Sequence, residues 1–167
     1  MSPAPPADRL SRMIARLTAQ RDCPAWAAAA IRDLDGPVLE IGLGKGRTFD
    51  FLRTRLPGRE IYAFDREVHC PDDVRPTAER LLLGDFRESL AAAVDRLGRT
   101  AALAHADIGS DRRDRDAALA ATIAPLIGRL VQPGGFVLTD RAMADQGWQE
   151  VPTPAATDWE YFVYRVG

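Results

Sequence analysis

Apolar positions along the chain follow a helical period first and then alternate between strand-like and helix-like runs. Leu10, Met13, Ile14 and Leu17 recur at i, i+3, i+4 and i+7, which predicts an amphipathic helix over residues 8–20. Pro24 suits the first turn of a second helix, capped by Asp22 or Cys23. Trp26, Ala30, Ile31 and Leu34 would form its apolar face, and Gly36-Pro37 would end it. The short run 38–41 reads as a strand. A helix follows, carrying Phe49, Phe51, Leu52 and Leu56, and Pro57-Gly58 stops it. A second strand spans 60–64 and ends at Asp65; a third, short one spans 80–83. Between them, residues 69–76 are too rich in proline and charge for a long helix and read as a loop with at most one helical turn. Leu90, Val94 and Leu97 mark another helix, closed by Gly98, and 100–105 forms a fourth strand. After a charged loop at 107–115 comes a helix with Leu119, Ile123, Leu126, Ile127 and Leu130 inward, in which Pro125 introduces a kink. Pro133-Gly134-Gly135 turns into a fifth strand at 136–139, and 148–151 with 161–166 read as an antiparallel pair.

Strands alternating with helices predict an α/β fold with a mostly parallel sheet covered on both faces. A chain of 167 residues fits a single domain over 1–167: a flexible tail at 1–7, N-terminal helices at 8–35 and a core at 36–167. At 46% hydrophobic and 28% charged residues, composition is that of an ordinary globular protein, and the formal net charge of −2 argues against a nucleic-acid partner. The short third strand and the terminal hairpin leave sheet edges poorly covered, which predicts a homo-oligomer. Two cysteines, Cys23 and Cys70, make no disulfide framework, so a cytoplasmic location is expected. No apolar run approaches a membrane span, and the N-terminal residues lack a secretion-signal pattern.

The most informative stretch is Glu40-Ile41-Gly42-Leu43-Gly44-Lys45-Gly46-Arg47. A strand ends in an acidic residue, glycines fall at every second position, and a helix begins at once. Such a turn lets backbone approach a ligand, and the helix start offers unpaired N–H groups and a positive dipole end. A dinucleotide site wants a third glycine at position 47, where the chain has Arg47. Acidic residues also close the following strands: Asp65 lies 25 residues after Glu40, in range to accept from ribose hydroxyls, with Asp85 and Asp107 further on. Taken singly, Asp65 and Asp85 equally suit turn or cap positions.

The E-x-G-x-G-x-G turn resembles motif I of the class I S-adenosylmethionine-dependent methyltransferases, and the overall look is of a short stand-alone bacterial member. The resemblance implies a Rossmann-like sandwich with a seven-stranded sheet in the order 3-2-1-4-5-7-6, only strand 7 antiparallel. It implies S-adenosylmethionine as cofactor, held by Glu40, Gly42, Leu43, Gly44, Lys45, Gly46, Asp65, Arg66, Gly84, Asp85 and Phe86. In Gly84-Asp85-Phe86 the carboxylate would take the adenine amine and the aromatic would cover the ring. It further implies methyl transfer to a small-molecule acceptor. The alternatives are an NAD(P)-dependent oxidoreductase and a non-catalytic cofactor-binding protein.

Strand four ends in His105-Ala106-Asp107, where this superfamily places catalytic groups. Asp107 at the tip is the stronger candidate for orienting an acceptor or taking its proton. His105 titrates near neutrality but lies within the strand pattern, where a buried structural histidine is the competing reading. Some relatives in this superfamily hold magnesium with an Asp after strand four and an acidic pair after strand five. Asp107 and Asp140 match two such positions, Arg141 opposes the third, and no metal is expected. The arginines near Arg112, Arg113 and Arg115 suit either a solvated loop or an anionic substrate.

Overall fold

The computed structural model describes residues 8–167, so the tail expected at 1–7 lies outside the described residues. Seven strands form one sheet: β1 (Val38–Ile41), β2 (Ile61–Asp65), β3 (Leu81–Leu83), β4 (Ala101–Ala106), β5 (Val131–Thr139), β6 (Trp148–Val151) and β7 (Phe162–Val166). Their order is β3-β2-β1-β4-β5-β7-β6, with β7 antiparallel to both neighbours and the other pairs parallel. Four helices cover it: α1 (Arg9–Ala30), α2 (Arg47–Arg55), α3 (Phe86–Leu97) and α4 (Arg113–Gly128). The predicted class and strand order are those observed.

Alternation along the strands divides the core. Leu39, Ile41, Ala104, Ala106 and Val137 pack on the α3 and α4 side. Val38, Ala63, Leu103, Leu138 and Val163 pack on the α1 and α2 side. A strand with a helix layer on each face is buried on both, so all four residues of β1 are buried, Glu40 included. Period-two geometry puts Glu40, His105 and Asp107 on the α1 side.

Three expectations need correction. The two N-terminal helices are one, running through Pro24. An interior proline forfeits a hydrogen bond and crowds the preceding turn, at about 3 kcal/mol. Tertiary packing offsets it: Cys23, Ala27 and Ile31 are fully buried, and Trp26 stands edge-on to Phe136 with ring centroids 5.0 Å apart. The apolar stripe Leu10, Met13, Ile14 and Leu17 does not reach the core; these side chains are 40–69% exposed. Finally, Pro133-Gly134-Gly135 lies inside β5, not before it. The register between β4 and β5 slips between Ala101 and Leu103, and this irregularity accommodates the proline and glycines in the strand. Residues 69–76 hold one 3₁₀ turn, Asp72–Val74, as expected, and a second, Ala78–Arg80, leads into β3.

Candidate active site

The cleft lies beyond the carboxyl ends of β1, β2 and β4, where open α/β sheets hold ligands. Gly42, Gly44 and Gly46 all have positive φ, at 90°, 50° and 76°. A side chain at Gly42 would collide with the Asp107 carbonyl oxygen, 2.2 Å from its Cβ position, so glycine lets the β1 and β4 ends pass each other. At Gly44 a Cβ would meet no atom within 4 Å. Gly46 caps α2 without any side-chain hydrogen bond, which leaves that helix's first N–H groups for a ligand.

Glu40, Gly42, Leu43, Gly44, Lys45 and Asp65 line a cleft of about 390 Å³. Phe86 and Ile108 line it too, and both continue into an adjoining hollow of about 280 Å³ with Arg66 and Arg87. Gly46 sits behind the turn near Cys70 and Val74. Asp65 accepts from the Gly44 N–H at 2.8 Å and from the Arg66 N–H at 2.7 Å, so its carboxylate also fastens the glycine turn. Asp85 is the N-cap of α3, accepting from the Arg87 N–H at 2.9 Å. It lies 3.6 Å from the Arg66 guanidinium, and Gly84 precedes it with φ 135°. Neither Gly84 nor Asp85 lines these two clefts; Phe86, next in sequence, lines both.

Asp107 faces α1. It accepts from Gln20 Nε2 at 2.5 Å and lies 3.4 Å from the Arg16 guanidinium. Arg16 and Gln20 are site residues that sequence reasoning missed; their i, i+4 spacing on α1 was the available signal. Asp140, after β5, accepts from the N–H groups of Ile108 at 3.1 Å and Gly109 at 2.9 Å. Burial and the Asp107 charge beside it push its carboxyl up to about 6, against the pull of those N–H groups and of Arg141. Arg141 is held by Asp116 at 3.0 Å and by Asp140 at 3.4 Å. Among the described residues no group of three or more His, Cys, Asp or Glu side chains is placed to hold a metal ion.

His105 is fully buried and lines neither cleft. Its Nδ1–H donates to Glu40 Oε2 at 2.9 Å, and its Nε2 shares a 2.5 Å hydrogen bond with the Tyr161 hydroxyl. Burial alone would push the imidazole down; the Glu40 carboxylate, with Asp107 and Asp140 beyond it, outweighs burial and raises it.

A glycine turn on the first strand, acids closing the next strands, and an antiparallel seventh strand beside the fifth define a class I S-adenosylmethionine-dependent methyltransferase. The model of the Methyltransf_17 family, S-adenosyl-L-methionine methyltransferase, matches residues 7–166, and the chain belongs to that family. A solved S-adenosyl-L-methionine methyltransferase from Silicibacter pomeroyi DSS-3 is 41% identical, covering 96% of this chain and 99% of its own, with a TM-score of 0.91. Human N-acetylserotonin methyltransferase, solved with S-adenosylmethionine, shares the fold at 16% identity and a TM-score of 0.51, over 93% of this chain and 53% of its own. A 16S rRNA adenine methyltransferase from Catenulisporales acidiphilia does so at 12% identity and a TM-score of 0.52, over 86% of this chain and 90% of its own. No curated protein matches the chain. The protein is a methyltransferase with S-adenosylmethionine as its cofactor, which sets aside the oxidoreductase and non-catalytic readings. The site suits that cation: acidic side chains at the cleft, a turn open at Gly44, and an uncapped helix start for a carboxylate.

Proposed function

We propose that the chain methylates a small-molecule acceptor brought to the cofactor cleft, with Asp107, which lines that cleft, orienting the acceptor and taking its proton. The observation that carries this reading is Asp107 at the β4 tip in the cofactor cleft, held by Gln20 and Arg16 of α1. A further cleft of about 520 Å³, the size of a small-molecule site, borders α1, the β5 end and the segment before β7. Arg12, Arg113, Arg141 and Trp159 line it. Arg12 and Arg16 are one turn apart on α1, so the same helix borders both clefts. Bound S-adenosylmethionine supplies a methyl group on a sulfonium, for in-line transfer to a nucleophile. The chain holds the reactants, excludes water and accepts the proton. Glu40, Asp65 and the α2 start hold the cofactor in this reading, with Phe86 and Ile108 as apolar walls. His105, buried behind Glu40, is assigned no contact with the acceptor.

Methyl-labelled cofactor incubated with a bacterial cell extract separated into metabolites and RNA tests the acceptor class. Label should enter the metabolite fraction; label entering RNA instead would overturn the small-molecule assignment. Asp65→Ala should weaken cofactor binding by roughly 10–150-fold, the loss of hydrogen bonds to a charged acceptor at about 1.5–3 kcal/mol. Calorimetry showing wild-type affinity would remove Asp65 from the site.

A pH dependence follows from Asp140. Its carboxyl is raised to about 6, so the folded chain holds that proton more tightly than the unfolded chain. Its contribution to stability is therefore present at low pH and lost as pH rises from about 4 to about 6. Activity should run the other way. Below about 6 the protonated Asp140 can donate to the Asp107 carboxylate and occupy an oxygen the acceptor needs, so turnover rises through this range as Asp140 loses its proton. Asp140→Asn should abolish this limb of the pH–rate profile; an unchanged limb would assign it to another group.

A further inference from the structure

Glu40, His105 and Tyr161 form one buried line across the sheet. Glu40 and His105 are register partners on β1 and β4. His105 pairs in turn with Leu138, and Leu138 with Val163, two residues past Tyr161 on the same side of the sheet. Glu40 is 1% exposed, His105 0% and Tyr161 5%. Burying a carboxylate, an imidazole and a phenol together is costly unless each is hydrogen-bonded. The two bonds of 2.9 and 2.5 Å meet that requirement for His105, and the Tyr161 ring stacks near the imidazole at a centroid distance of 6.2 Å. Tyr161 is itself pinned through its carbonyl, which accepts from Thr153 Oγ1 at 2.9 Å. The line runs in one direction. Tyr161 and His105 are closed off from the cofactor cleft, whereas Glu40 lines it and bonds through only one carboxylate oxygen among the described residues. An apolar residue at each of the three positions would pack the sheet interior at less cost, so packing alone does not account for the line.

We propose that His105 and Tyr161 are positioning residues that hold Glu40 with its second oxygen toward the cleft, to accept a hydrogen bond from the ammonium of the cofactor's amino-acid end. This rests on the cofactor-holding role assigned to Glu40 above. Desolvated at the cleft floor, the carboxylate has one oxygen occupied by Nδ1–H, and the other is left to a cationic donor. Tyr161 holds the imidazole at Nε2, which keeps Nδ1 on the Glu40 carboxylate.

The test compares two ligands by calorimetry: S-adenosylhomocysteine, which has the ammonium, and methylthioadenosine, which keeps the nucleoside but lacks the amino-acid end. Glu40→Gln and His105→Leu should each lower the affinity ratio between them by about tenfold, the value of a charge-assisted hydrogen bond, with methylthioadenosine binding little changed. Tyr161→Phe, which keeps ring and packing, should lower the ratio several-fold. His105→Gln, which restores a donor to Glu40, should recover part of it. Equal losses for both ligands, or no loss for either, in His105→Leu and Tyr161→Phe would overturn the positioning role. If those two variants leave the ratio unchanged while Glu40→Gln lowers it, Glu40 contacts the cofactor unaided and the inference fails alone. An unchanged ratio in Glu40→Gln overturns the role of Glu40 and the inference together.

Discussion

Asp107→Asn lowers methyl transfer by roughly 10²–10⁴-fold while leaving cofactor affinity within a few-fold of wild type, the signature of a lost general base. The separation of effects follows from where the side chain stands. Asp107 begins just past β4, faces α1, and shares its site with Asp140, whereas the glycine turn and Asp65 hold their positions without it. Asparagine keeps the size and one acceptor oxygen, so the Gln20 contact survives, but it cannot take a proton at neutral pH. The loss belongs in kcat, measured with saturating cofactor; until an acceptor is in hand, slow turnover of S-adenosylmethionine serves as the readout. Full turnover in Asp107→Asn would move the base elsewhere on the β4 and β5 ends, with Asp140 next in line.

Two glycines two residues apart should fail in opposite ways. Gly42→Ala places a methyl against the Asp107 carbonyl oxygen, 2.2 Å away, at φ 90°. Backbone strain and a backbone clash that no side chain can relieve cost roughly 2–4 kcal/mol. For a chain of this length that is roughly 4–16 °C in Tm, read by calorimetry without cofactor. Gly44→Ala meets no atom within 4 Å and has φ 50°, so it costs only about 1–2 kcal/mol of left-handed strain. Gly44 lines the cleft, so its added methyl should instead cost about tenfold or more in cofactor affinity. Wild-type affinity in Gly44→Ala would mean that the cofactor does not approach the turn there.

The strands and the glycine turn were legible because each has a local cause, whereas the strand order was implied by the family resemblance. A buried parallel strand needs a continuous apolar run, a tight strand–helix turn needs glycine, and both leave short-range patterns. The candidate site was legible in part. Acids at strand ends can be counted from the sequence, but their partners cannot. Asp85 caps α3 and bonds to neighbours within two residues, which any aspartate at a helix start can do. Asp65 serves the glycine turn as well as facing the cleft, a double duty that sequence spacing does not reveal.

The sequence by itself determined the alternation of strands and helices, the sharp turn after β1 and the acidic rim, because these depend on residues within a few positions of one another. Tertiary structure alone decided which way α1 lies. Its best apolar periodicity, Leu10 to Leu17, faces outward, while Arg16 and Gln20 reach Asp107 and the half around Pro24 enters the core. It also decided that Glu40 and His105, 65 residues apart, are paired in the interior and closed off by Tyr161, another 56 residues on. A periodic pattern says that a helix has an apolar side, but not what will cover it. An ionisable residue in a strand says that its charge must be met, but not by whom. Both are settled by contacts between segments distant in the chain, where burial turns an affordable exposed charge into one that must find a partner.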